Sequence, residues 1–170
     1  MTLSMYQASV PVFERALSNL LHVLKKGEAH AKAKAVTDEV LLGTRLIPDM
    51  LPLAKQVQIA CDMAARGTAR LAGVEPASFE DNETTLEQLY ARIARVLAYI
   101  KGFTPQQIDG SEARAIELKM RNGEMSFSGQ DYLLTFVLPN LYFHCTTTYV
   151  ILREAGAELG KTDFIAGAQQ

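Results

Sequence analysis

From residue 132 to residue 152 the chain carries no aspartate, glutamate, lysine or arginine. A stretch this long without charge has to leave water, either by crossing a membrane or by becoming the most buried helix of a bundle. Its length suits a span. However, Pro139, Asn140, His144 and Thr146 through Thr148 interrupt its apolar character, and it stands alone in the sequence with only a weak basic flank. A helix buried by its neighbours is the reading that fits. His144 is then held at depth, where an imidazole needs a partner. Pro139 cannot donate to the Thr135 carbonyl and clashes with it, so this helix is expected to kink or open near its middle.

The remaining composition narrows the choice of partners. A chain of 170 residues, 48% hydrophobic and 21% charged, is long enough for one globular domain over residues 1–170 with a substantial core. A formal charge of −2 supplies no pull toward nucleic acid or an anionic membrane, and neither is expected as a partner. Lys25, Lys26, Lys32 and Lys34, interrupted by Glu28, read as a solvated helix end and loop. Cys61 and Cys145 lie in apolar helical contexts without metal-ligand spacing, so free buried thiols in a reducing cytoplasm are expected rather than a disulfide. The opening MTLSMYQASV lacks the basic start and unbroken apolar run of a secretory signal.

Periodicity supplies the architecture. Met5, Tyr6, Val10, Phe13, Leu17, Leu20, Leu21 and Leu24 form one helical stripe from about residue 3 to 26, with a stop at Gly27. A loop and a short helical or irregular segment (37–46) follow. A second helix is capped by Asp49, carries Pro52 in its first turn and stops at Gly73. A polar link, VEPASFEDNE, leads to a third helix capped by Thr84 or Thr85 and ended by Gly102. The period then changes to two over 115–120, and Asn122-Gly123 predicts a hairpin turn. Ser128 opens the fourth helix, which reaches Glu154. Leu159, Phe164 and Ile165 can fold the tail back onto the helices. The expected fold is all-α: an antiparallel four-helix bundle with a small β-hairpin between helices 3 and 4.

The residues assign no reaction. The helical neighbours of His144 at i+3 and i+4 are Thr147 and Thr148, poor ligands for a borderline metal. Gln58 and Asp62, four apart on the second helix, can face the same cavity, yet a histidine, an amide and a carboxylate make a poor zinc set. His22 and His30 read as surface or helix-end residues. Gly156 to Thr162 imitates a phosphate loop, but its gap is one residue short and it follows a helix instead of a strand. Cys145 adjoins His144 in sequence but diverges from it around a helix, which argues against a thiol nucleophile.

The stretch QVQIACDMAARGTARLAGVE, the FTP turn at 103–105, LPNLYFHCTTTYVILREAG and the closing ELGKTDFIAG together resemble the domain-of-unknown-function family numbered nineteen ninety-three. The likeness covers essentially the whole chain. That family is similar to the DinB/YfiT-like four-helix bundles, many of which are regarded as metalloenzymes and include thiol-dependent transferases and a mycothiol-dependent isomerase. The resemblance implies three histidine positions, one on the second helix and a pair four apart on the last long helix. His144 matches the first of the pair, while Thr148 and Gln58 fall on the other two. It also implies a dimer through helix faces. The expectation is a homodimeric bundle with no metal cofactor, whose cavity around His144, Thr148, Gln58 and Asp62 takes a small-molecule ligand. The alternative is a metal-dependent transferase or hydrolase using His144.

Overall fold

The computed structural model describes residues 3–120 and 123–167. Helix α1 (Met5–Ala33) opens on Ser4, whose hydroxyl accepts from the Gln7 amide while the Gln7 side chain accepts from the Ser4 amide. It carries Pro11 inside and runs past Gly27, where the sequence predicted a stop. Gly27 is buried instead, and a Cβ there would lie 2.7 Å from Leu152 Cδ2. That glycine lets two helices approach; it does not end one.

Thr37 caps the short α2 (Asp38–Gly43). Helix α3 (Leu53–Leu71) has Pro52 at its cap position, so Asp49 does not cap it and Pro52 sits just outside the first turn. Gly73 follows its end at φ +72°. Thr85 and Gln88 form the capping box that starts α4 (Leu86–Lys101), and Gly102 ends it. After α5 (Pro105–Ile108) come β1 (Ile116–Met120) and β2 (Gly123–Phe127), antiparallel, with Ile116 opposite Phe127 and Met120 opposite Gly123. Gly123 is therefore a strand residue, and the rest of the expected Asn122-Gly123 turn lies outside the described residues. Ile116 and Leu118 are buried and Glu117 and Lys119 are exposed, as a period of two requires.

Ser128 caps α6 (Gly129–Asp131), and a π-helical turn (Tyr132–Val137) leads directly into α7 (Leu138–Glu154). The opening expected around Pro139 thus takes the form of one wide turn just ahead of it. The Asn140 side chain donates to the Phe136 carbonyl at 2.7 Å across this region. The chain closes with α8 (Lys161–Ala166), which packs on α1. Leu159 is buried and Phe164 half-buried, but Ile165 is 53% exposed and holds the tail through its carbonyl, not its side chain.

Helices α1 and α3 each pack on both α4 and α7, and on each other. Phe13, Leu17, Val57, Ile93, Leu141 and Ile151 are among the fully buried side chains between them. The fold is mainly helical with one small two-stranded sheet.

The uncharged stretch is not buried all round, as the sequence predicted. Leu133, Val137, Leu141, His144, Thr148 and Ile151 point inward, whereas Leu134, Pro139, Tyr142, Phe143, Thr146 and Val150 are exposed. The lack of charge thus has two origins, a core face and an apolar outer face. Among the described residues no helix is long and apolar enough to cross a membrane.

Candidate functional site

His144 is 8% exposed and bonds to Gln56 of α3. Its Nδ1 lies 2.7 Å from Gln56 Oε1. An amide oxygen only accepts, so Nδ1 carries the proton. The amide cannot be turned over, because Gln56 Nε2 donates to the Leu51 carbonyl at 2.9 Å. The chain entering α3 therefore orients Gln56, and Gln56 orients the imidazole. Burial lowers the His144 pKa from the usual histidine value, which keeps the ring neutral near pH 7. Nε2 then bears the free lone pair. The ring also packs edge-to-face on Phe143, with centroids 5.2 Å apart.

Thr148 does not extend this site. Its hydroxyl donates to the His144 carbonyl at 3.0 Å, and Thr147 does the same to Phe143 at 2.8 Å. Both are returns to the preceding turn that let a hydroxyl be buried in a helix. Cys61 and Cys145 are free and buried, and burial raises both thiols, that of Cys145 to about 12. Neither is a nucleophile at neutral pH.

Gln58 and Asp62 belong to a different neighbourhood. Gln56 and Gln58 are two residues apart and so point about 200° apart around the helix. Gln58 Nε2 donates to Glu83 Oε2 at 2.8 Å. Glu83 and Asp62 both pair with Arg92, which is fully buried on α4, at 3.2 Å and 2.7 Å. Asp81 Oδ1 lies 3.0 Å from the same guanidinium, which also donates to the Glu80 carbonyl at 2.9 Å. Burial works most strongly against the Arg92 cation, but the hydrogen bond and charge of Glu83 together with the charge of Asp62 raise its pKa. Gln58 Oε1 and Arg92 Nε have no hydrogen-bond partner among the described residues.

Sequence reasoning found Gln56 beside Gln58 and Asp62 on the second helix but placed the latter two in the cavity with His144, and it missed Arg92. Arg92 is three residues after Leu89 and four before Val96, on the apolar stripe of its helix. A cation there needs carboxylates, and the acidic link just before it supplies them.

The two outer histidines tie the tail down. His22 Nε2 donates to Asp163 Oδ1 at 3.0 Å, and His30 Nε2 lies 3.1 Å from the Ala155 carbonyl. Asp163 also accepts from Lys26 Nζ at 2.9 Å and from the Gly160 amide at 2.8 Å. These bonds, led by that to the Gly160 amide, hold its carboxyl well below the usual carboxylate range.

A three-histidine metal centre does not fit these residues. His144 offers one lone pair, the Gln56 oxygen is engaged by the imidazole, and Thr148 replaces a nitrogen ligand with a weak hydroxyl. Among the described residues no three histidine, cysteine, aspartate or glutamate side chains converge on one point.

Comparison with known proteins places the chain. No curated protein matches it. A crystal structure of a DinB family member from Shewanella denitrificans is similar to it at 39% sequence identity and a TM-score of 0.87, covering 97% of this chain and 93% of that one. The model of the domain of unknown function DUF1993 matches residues 5–165. By that match the chain belongs to the DUF1993 family.

Proposed function

We propose that this protein is a non-catalytic DinB-type antiparallel four-helix bundle, a cytoplasmic homodimer that binds a small molecule instead of converting one. Its polar centre is His144 with Gln56 and Thr148, bordered on the other side of α3 by Gln58 and Asp62. The observation that carries this reading is the 2.7 Å bond from His144 Nδ1 to Gln56. A ring held by an amide, with no cluster of three histidine, cysteine or carboxylate side chains among the described residues, ties two helices together and lacks a metal set. Two free buried thiols support a reducing compartment.

The dimer rests on α7. Its exposed stripe, Tyr142, Phe143, Thr146 and Val150, continued by Leu134 of the π-helical turn, has no charge along its length. Exposed Asp131 lies before one end and exposed Arg153 at the other. Two copies laid antiparallel bury apolar side chains in the self-complementary manner a two-fold interface needs, with Asp131 of each copy toward the end that carries the partner copy's Arg153 and Glu154.

Metal analysis of protein purified without chelators tests the central claim. The expected result is substoichiometric zinc and nickel, unchanged by His144→Ala. One ion per chain, lost in that variant, would establish the metal-dependent alternative. Light scattering should give the mass of two chains for the native protein and of one for Phe143→Glu; a native monomer would remove the dimer from the reading.

A further inference from the structure

A separate recess lies among α1, α7 and α8, away from His144. Ala16 and Asn19 of α1, Tyr142 and Cys145 of α7 and Phe164 of α8 line it, with exposed Arg15 beside them, around a volume of about 180 Å³. An apolar cavity of about 150 Å³ accommodates a benzene ring, so the recess is of single-ring size.

Its polar groups are unequally committed. The Asn19 amide is already spent on the Phe164 and Ile165 carbonyls at 3.1 Å and 2.8 Å. Arg15 is not. Among the described residues it forms no ion pair and makes only a 3.4 Å contact to the Ile165 carbonyl. Arg15 also borders a wider open groove, where Lys101 is paired with Glu14 at 3.8 Å and Arg15 is left as the groove's uncommitted cation among the described residues. The wall formed by α8 is held in place by the three bonds that converge on Asp163. A ligand would meet this wall already formed, which lowers the ordering cost of binding.

We infer that this recess binds a single-ring aromatic carboxylate, with the ring against Ala16, Cys145 and Phe164 and the carboxylate on Arg15. A guanidinium matches a carboxylate in a planar fork, and apolar walls reward the ring. This goes beyond the proposed function, because the recess lies apart from the His144 centre. It shares Tyr142 with the dimer stripe and no residue with the metal argument, and its titrations read neither metal content nor mass, so its failure leaves those tests untouched.

Benzoate and its neutral counterpart benzyl alcohol are the probes, titrated into the full chain and followed by amide NMR. Benzoate should saturate at millimolar concentration, with shifts centred on Ala16, Asn19 and Cys145. Arg15→Gln, an exposed substitution that spares the fold, should weaken benzoate by about tenfold and alter benzyl alcohol by less than about twofold, as loss of one charge-assisted contact requires. Ala16→Leu, which fills the recess, should abolish both. No saturation, shifts mapping elsewhere, or equal benzoate binding by Arg15→Gln and native protein would each overturn the assignment.

Discussion

Helix α3 holds two of its neighbours, α7 and α4, by opposite means. Toward α7 it offers Gln56, an uncharged side chain that meets a neutral imidazole through one hydrogen bond. Toward α4 it offers Gln58 and Asp62 to a network in which one buried guanidinium serves three carboxylates, two of them from the link between α3 and α4. The ionic side organises chain: it draws residues 80–83 against the helices and gives their charges a common partner. The neutral side organises a ring: it fixes which imidazole nitrogen carries the proton. The two differ in what a single deletion leaves behind. Losing one member of a neutral pair strands a polar group; losing the hub of the ionic cluster strands several charges.

Arg92→Met therefore tests the contrast most severely. It removes the cation from Asp62, Asp81 and Glu83 while keeping much of the buried volume. The expected loss is about 3–5 kcal/mol in urea denaturation at neutral pH, in line with breaking a buried ion pair from one side. A loss under about 1 kcal/mol would mean that water reaches these carboxylates, and the distinction between the two faces of α3 would lapse.

How far such a cluster is legible in the sequence depends on the distance its cause reaches. The cap of α4 was readable to within one residue, as Thr84 or Thr85, because a cap bonds within its own first turn. The opening near Pro139 was readable because the ring forbids a bond to its own preceding turn. Gly27 was misread because its reason is Leu152, a residue on another helix. Gln58 was chosen over Gln56 for a related cause: periodicity says the two point apart, but only the position of α7 says which one meets His144. The uncharged stretch was read as the most buried helix, although one of its faces is exposed, because composition reports the absence of charge and not the presence of a neighbour. The family resemblance located His144 within the last long helix, but the partner that sets its protonation came from packing.

A milder test works on the neutral face. Gln56→Ala and His144→Ala should each cost about 1–2 kcal/mol, and the double variant should cost about 1 kcal/mol less than their sum, the coupling of one buried hydrogen bond. Chemical denaturation of all four proteins closes the cycle. Strict additivity would show that the 2.7 Å contact contributes nothing beyond the packing of each side chain.

The smallest effect separates the faces by acidity. Burial lowers the folded His144 pKa below 6.5, the usual imidazole value. Between those two values the unfolded chain binds a proton that the folded chain refuses, so stability falls as pH drops from about 6.5 and levels off below the folded value. His144→Gln keeps an uncharged polar side chain there and cannot titrate, so its stability should decline less over that interval. The carboxylates around Arg92 and Asp163 are present in both proteins and cancel in the difference between the two pH profiles. Parallel profiles from pH 7 to pH 5 would place the imidazole in contact with solvent and dissolve the account of a ring held neutral by its surroundings.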